Sequence, residues 1–360
     1  MRVVATAGHV DHGKSTLVHA LTGEDPDRWA EEKARGLTID LGFAATVLPS
    51  GAEVAFVDVP GHHRFVANML AGVGAVDACL LVVAATEGWK PQSEEHLRIL
   101  ELVGVGHGVV ALTKVGGLDD ARRKQAEASV RERLAGSFLD GAEVVPVDVP
   151  AGLGLEELQA ALGRLVTAAP AAADRGRPRL WVDRSFAMAG AGTVVTGTLA
   201  GGAVAVGDQM VVEPAGVAVR VRALQSHRQG LASAAPGRRL AINLAGIAHG
   251  EVGRGNALVS PGQWHLCSVF DAELRVLDGL EHAVTAKGAY VAYLGSAEVP
   301  VRLRVLGAAK DVAPGESGLV RLWLSEARRL PLLPGDRYVL RESGRSETVG
   351  GGEILDVAPV

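Results

Sequence analysis

The stretch Gly8, His9, Val10, Asp11, His12, Gly13, Lys14, Ser15 and Thr16 has the spacing Gly-x-x-x-x-Gly-Lys-Ser, with a β-rich run before it and a helical run, Thr16 to Leu21, after it. The chemistry of that pattern is anion binding. Backbone N–H groups of the glycine turn wrap phosphates, the Lys14 ammonium reaches the terminal ones, and the Ser15 hydroxyl ligates Mg²⁺. A chance glycine turn would not combine the spacing, the Lys-Ser pair and the strand-to-helix setting. Two further stretches gain meaning from the first. In Asp58-Val-Pro-Gly-His62, at the end of another β-run, the Asp58 carboxylate can hold Mg²⁺ through water, Gly61 can donate its N–H to a γ-phosphate, and His62 is placed beside an attacking water. Taken alone, that stretch reads as a Pro-Gly turn with a surface histidine. In Arg35-Gly-Leu-Thr-Ile39, Thr38 offers a hydroxyl that closes over Mg²⁺ and the γ-phosphate, in a loop ordered by triphosphate and released on hydrolysis. The neighbours His62 and His63 have no further ligands at zinc spacing and do not mark a zinc site.

These residues need elements to position them. Up to about residue 170, short β-rich runs alternate with helical ones: strands are expected at Arg2 to Ala7, Val54 to Val59, Ala78 to Ala84, Gly108 to Lys114 and Glu143 to Val147, with helices at Ser93 to Leu102 and Asp119 to Leu134. The alternation predicts a parallel, doubly wound sheet with its ligand beyond the carboxyl ends of the strands. Leu165 to Pro178 reads as a helix end and linker, after which strand-sized runs are punctuated by Gly and Pro. Thr193 to Leu199, Gln209 to Glu213, Val217 to Leu224 and Arg239 to Leu244 form one β block. Past Ser260-Pro-Gly262, Phe270 to Leu277, Tyr290 to Leu294, Val299 to Leu306 and Gly318 to Leu324 form another. The expected fold class is α/β plus all-β, a doubly wound P-loop domain (1–172) followed by two small β-barrels (178–262 and 263–360).

Composition agrees with a globular chain. Its 360 residues are 48% hydrophobic and 21% charged, enough for a sizeable core in roughly two or three domains. A net charge of -5 does not mark a bulk nucleic-acid binder, although a local basic patch can hide in an acidic total, so RNA is neither indicated nor excluded. Cys79, in the run Ala78-Cys-Leu-Leu-Val-Val-Ala-Ala85, and Cys267 are each expected as small buried residues, which fits a reducing cytosol. No apolar run approaches the ~18 residues of a membrane span, and the N-terminus shows no leader pattern, so no membrane partner is expected.

Together, Gly8 to Thr16, Glu31-Glu-Lys-Ala-Arg-Gly-Leu-Thr-Ile-Asp40 and Asp58-Val-Pro-Gly-His62 resemble the translational GTPases of the elongation factor Tu class. Phe186-Ala-Met-Ala-Gly-Ala-Gly-Thr-Val-Val-Thr-Gly197 resembles the opening of their second domain. Within the class, Thr38-Ile-Asp-Leu-Gly-Phe-Ala44 and Asp183-Arg-Ser-Phe186 are similar to the selenocysteine-specific elongation factors. The resemblance covers essentially the whole chain. It implies a monomeric, cytoplasmic GTPase that uses GTP/GDP and Mg²⁺, delivers selenocysteyl-tRNA to the ribosome at recoded UGA codons, and depends on the ribosome to complete its hydrolytic site. It also implies an aminoacyl pocket in the second domain lined by Asp183, Arg184 and Arg239, and tRNA contacts in the third. Members of that group continue into a C-terminal array of winged-helix domains that holds an mRNA hairpin. The 360 residues are expected to correspond to the tRNA-delivery domains alone.

One stretch departs from the pattern. Where these GTPases read guanine through Asn-Lys-x-Asp, this chain has Thr113, Lys114, Val115 and Gly116. Thr is an accepted replacement for the Asn, and Lys114 packs along the base, but the carboxylate is missing at Gly116. In Pro146-Val-Asp-Val-Pro-Ala-Gly-Leu-Gly154, Asp148 stands where a Ser is usual. Either Asp148 or Asp119 supplies the acceptor, or the site tolerates its loss because phosphates and Mg²⁺ carry the affinity. Three functions stay open: a selenocysteyl-tRNA carrier, a general aminoacyl-tRNA carrier or other translational GTPase, and a nucleotide-dependent binding module with little hydrolysis.

Overall fold

The structure, a computed structural model, describes residues 1–26, 38–74, 76–188, 190, 192–325 and 328–360. The Arg35-Gly-Leu part of the motif that ends in Thr38 lies outside them. The chain divides into two compact units, Met1–Ala171 and Ala172–Val360, the second holding both barrels.

The first unit is built on a six-stranded sheet, in the order β2 (Gly42–Val47), β3 (Glu53–Asp58), β1 (Arg2–Ala7), β4 (Ala78–Ala84), β5 (Gly108–Thr113) and β6 (Val144–Pro146). All seven residues of β4 are buried, as expected of a strand covered on both faces. The sheet is mixed, which corrects the expectation of a parallel one: β2 runs antiparallel to β3. The cause is local. Leu48 N–H bonds Ala52 O and Gly51 turns at φ 82°, so the two strands form a hairpin, which can only be antiparallel.

Among the described residues the unit also holds helices α1 (Lys14–Thr22), α2 (Val66–Val73), α3 (Pro91–Leu102), α4 (Asp120–Leu134) and α5 (Leu155–Ala168). α1 buries Leu17, Val18 and Leu21, a one-turn spacing that packs it on β2 and β3 in a core shared with Phe56, Leu80 and Leu162. α3 starts on Pro91, whose fixed φ suits a first helical position, and α4 is capped by Asp119, which accepts from Arg122 N–H at 2.8 Å. Among the described residues no helix is long and apolar enough to cross a membrane.

In the second unit the first barrel runs Gln209–Glu213, Ala257–Val259, Arg179–Trp181, Gly192–Ala200, Arg239–Ala245 and Val217–Ser226, closed by pairing of the last with the first. Arg184–Met188 pairs on the outside with Gly192–Ala200. The second barrel closes in the order Val269–Val276, Ser317–Leu324, Ala297–Val305, Tyr290–Leu294, Arg337–Glu342 and Glu347–Asp356. Ala297–Val305 alternates buried and exposed without a break, the period of a strand with one face in a core. The barrels are tied at a seam. Arg179 makes a bidentate pair with Asp336 at 2.6 Å and reaches Pro331 O, while Ser296 Oγ donates to Val182 O at 2.6 Å. Cys79 and Cys267 are both buried, and burial pushes their thiols up to about 12 and about 11.

Candidate functional site

The loop after β1 is made by conformation as much as by side chains. Gly8 leaves the strand at φ 129°, and a Cβ there would lie 2.2 Å from Val82 O, so only glycine passes. Asp11 (φ 62°) and Gly13 (φ 91°) alternate with ordinary residues, the backbone pattern of a nest that gathers N–H groups around an anion. Lys14 is 6% exposed, and its ammonium lies across the loop, donating to Gly8 O (3.0 Å) and His9 O (2.8 Å). Gly61 closes over the same point: a Cβ there would meet Lys14 Nζ at 2.4 Å and Val10 N at 2.6 Å.

Three oxygen groups converge beside it. Ser15 Oγ donates to Asp58 Oδ2 at 2.6 Å and lies 2.8 Å from Thr38 Oγ1, bringing together residues from α1, the end of β3 and the segment before β2. Asp58 is fully buried, and its other oxygen accepts from Thr6 Oγ1 at 2.7 Å, which aims the carboxylate. Two hydroxyls and one supported carboxylate form a hard, all-oxygen donor set of the type Mg²⁺ takes. His62 follows on the loop before α2; its Nδ1 accepts from Arg64 N–H at 3.2 Å, and its ring lies 5.9 Å from that of Phe65.

Across the carboxyl edge of the sheet, Thr113 Oγ1 donates to His12 O at 2.7 Å, fastening the end of β5 to the phosphate loop. Lys114, at φ 58°, pairs with Glu87 at 2.8 Å, and that hydrogen bond lowers the Glu87 carboxyl below its usual range. Asp148 reaches back from the loop after β6, its Oδ2 accepting from Gly116 N–H at 2.7 Å. Asp119, the other candidate acceptor, is held as the cap of α4.

Two histidines support this edge: His96, which motif reading passed over, and His12 of the phosphate loop itself. His96 of α3 accepts from Gly8 N–H at 3.1 Å through Nδ1, and His12 donates through Nδ1 to Val82 O at 3.3 Å. Both rings are fully buried, and burial pushes them down to about 3 and about 4, so each stays neutral. Only tertiary packing brings α3 under the loop; the spacing of His96 carries no signal of it.

In the first barrel the proposed pocket residues meet on one strand. Asp183 is 5% exposed and accepts from Arg239 Nη2 (2.9 Å) and Nη1 (2.5 Å) and from Thr196 Oγ1 (2.7 Å). Arg184 stands opposite Thr196 and Arg239 opposite Thr198, so all flank Gly192–Ala200. Arg254 Nε also donates to Asp183 O at 3.2 Å. Thr196 and Arg254 were not among the sequence candidates. Thr196 was findable from strand alternation, whereas Arg254 arrives on a loop.

The fold and the phosphate edge define a nucleotide-binding unit followed by paired barrels, and comparison with known proteins places it. The chain belongs to the elongation factor Tu family: it is 33% identical to elongation factor Tu 2 of Streptomyces avermitilis over 98% of its own length and 96% of that protein. Residues 1–171 match the family described as the elongation factor Tu GTP binding domain. Similarity to a particular branch is higher. The chain is 41% identical to the selenocysteine-specific elongation factor of Desulfomicrobium baculatum, over 98% of its length and 55% of that protein. A crystal structure of a bacterial selenocysteine-specific elongation factor superposes with a TM-score of 0.88 at 34% identity, covering 98% of this chain and 58% of that one. The chain thus spans about half the length of the selenocysteine-specific relatives it matches.

Proposed function

We propose that the protein is a GTPase that binds selenocysteyl-tRNA with GTP and delivers it to the ribosome, with hydrolysis as the timing signal. The observation that carries the nucleotide part is the meeting of Ser15, Thr38 and Asp58 beside the Lys14 ammonium. In this reading the loop from Gly8 to Thr16 wraps the phosphates, and Ser15, Thr38 and Asp58 hold Mg²⁺, which when bound neutralises charge on the transferring phosphoryl group. Gly61 presents its N–H to the terminal phosphate, and His62 positions the attacking water. Catalysis is then chiefly positioning and charge stabilisation, which the ribosome completes. The protein acts as a monomer in the cytoplasm, and recognition of an mRNA hairpin falls to the region that its longer relatives have outside the match.

The cargo part rests on the Asp183, Arg184 and Arg239 cluster. A selenol is largely ionised near neutral pH and a serine hydroxyl is not, so a cationic pocket separates them by charge. Two unit charges ~4 Å apart attract by about 4 kcal/mol at an effective dielectric of 20. Even after desolvation, a net of ~2.8 kcal/mol gives about a hundredfold preference. The deciding measurement is binding of selenocysteyl-tRNA and seryl-tRNA, on the same tRNA body, to the wild-type protein and to Arg239→Ala. The ratio should fall by at least about tenfold in the variant. It should also shrink in the wild type as pH drops and the selenolate is protonated. An unchanged ratio in Arg239→Ala would leave the general aminoacyl-tRNA carrier as the better reading.

A further inference from the structure

We infer that Asp148 selects the purine, accepting hydrogen bonds from N1–H and the 2-amino group of guanine in place of a carboxylate at position 116. The inference rests on the reading of the first unit as a GTP-binding domain. With phosphates held in the loop after β1, a nucleotide extends along the carboxyl edge of the sheet toward β5 and β6. Those strands are parallel neighbours with Leu112 opposite Pro146, and past their ends the two loops are joined by the bond from Gly116 N–H to Asp148 Oδ2 at 2.7 Å.

There the two loops share one volume. A Cβ on Gly116 would lie 2.6 Å from Asp148 Oδ2 and 2.8 Å from its Cγ, so the carboxylate fills the space that a side chain at 116 would need. The missing acid on one loop and the unexpected acid on the other are a single arrangement. Both oxygens are steadied by backbone, Oδ2 by Gly116 N–H at 2.7 Å and Oδ1 by Ala151 N–H at 3.2 Å. An ionised carboxylate has lone pairs to spare beyond these two bonds, and it accepts without donating. The other acids nearby are committed elsewhere: Asp119 caps α4 and Glu87 pairs with Lys114. The Watson–Crick edge of guanine offers two adjacent donors, N1–H and the 2-amino group, which a two-oxygen acceptor matches. Xanthine puts an oxygen in place of that amino group and repels it; hypoxanthine has only the N1–H.

The test is competition binding of GTP, ITP and XTP, with Mg²⁺, to the full chain as wild type and as Asp148→Asn. The wild type should prefer GTP to ITP by about tenfold and to XTP by about a hundredfold or more, the scale of one lost and one repulsive buried contact. Asp148→Asn should reverse the order, because an amide donates to the xanthine oxygen and still accepts from N1–H. Gly116→Ala, which pushes the carboxylate aside, should lose the GTP preference without gaining XTP. A gain in XTP affinity cannot come from a loop that has merely loosened. If Asp148→Asn keeps the wild-type order, or loses all three nucleotides equally, Asp148 does not read the base. If the wild type binds none of the three, the GTP-binding reading fails and this inference with it.

Discussion

Lys14 and His62 differ in what surrounds them, and their removal should differ accordingly. Lys14 is buried with its ammonium on two carbonyl oxygens of its own loop, and the proposed function has it meet the terminal phosphates there. Lys14→Ala should abolish tight binding of both GTP and GDP while leaving the fold intact, since the loop shape is set by Gly8 and Gly13. Calorimetry on the variant, beside its circular dichroism, checks both halves. His62 lies on the loop leading to α2, with its Nδ1 engaged by Arg64 N–H. His62→Ala should leave GTP affinity nearly unchanged and slow ribosome-stimulated hydrolysis by ~10² or more, the scale of a lost catalytic positioning group. A single-turnover rate equal to wild type would take His62 out of the mechanism.

Elements bring distant residues to the loop, and here sequence reading was least able to follow. The strand-loop-helix around Lys14 was legible because spacing and setting reinforce each other locally. The use of α3 as a floor was not, because His96 lies 88 residues from Gly8 along the chain. That contact has a measurable signature. His96 must be neutral to accept from Gly8 N–H, and burial holds it down at about 3 against an ordinary 6.5. A depressed histidine adds stability that is fully present above the unfolded value and is lost as pH falls from about 6.5 toward 3, because the unfolded chain then binds the proton first. By pH 5 the loss is about 2 kcal/mol for such a group. His96→Asn, whose side-chain oxygen can still accept from Gly8, should show a shallower fall in stability between pH 7 and 5. Denaturant titrations at the two pH values measure it, and equal slopes for variant and wild type would assign the acid sensitivity to other groups. Strands were missed for a related reason: Glu347–Asp356 carries three consecutive glycines, a breaker signal, yet runs unbroken through the second barrel.

At the scale of the whole molecule, the seam between the two barrels includes Arg179, whose guanidinium pairs with Asp336 and also lies 4.9 Å from the Trp264 ring. Removing one partner of such a mostly buried pair leaves the other charge uncompensated, at about 3 kcal/mol. Arg179→Ala should therefore split the melting of the barrels into two transitions by calorimetry; one sharp transition at the wild-type midpoint would show that the seam holds without it. The barrel count was readable from turn spacing, whereas the seam was not, since it joins residues 157 apart. The closing strand of the second barrel has a different kind of consequence. At Gly350, Gly351 and Gly352 a Cβ would sit 2.3, 2.2 and 2.2 Å from carbonyl oxygens of neighbouring strands. Any single-nucleotide change that replaces a glycine codon with another residue adds that Cβ, so each first step away from glycine meets backbone that cannot yield. Substitution at these three codons is therefore expected to cost the barrel its backbone fit, whereas Gly117 has nothing within 4 Å of its would-be Cβ.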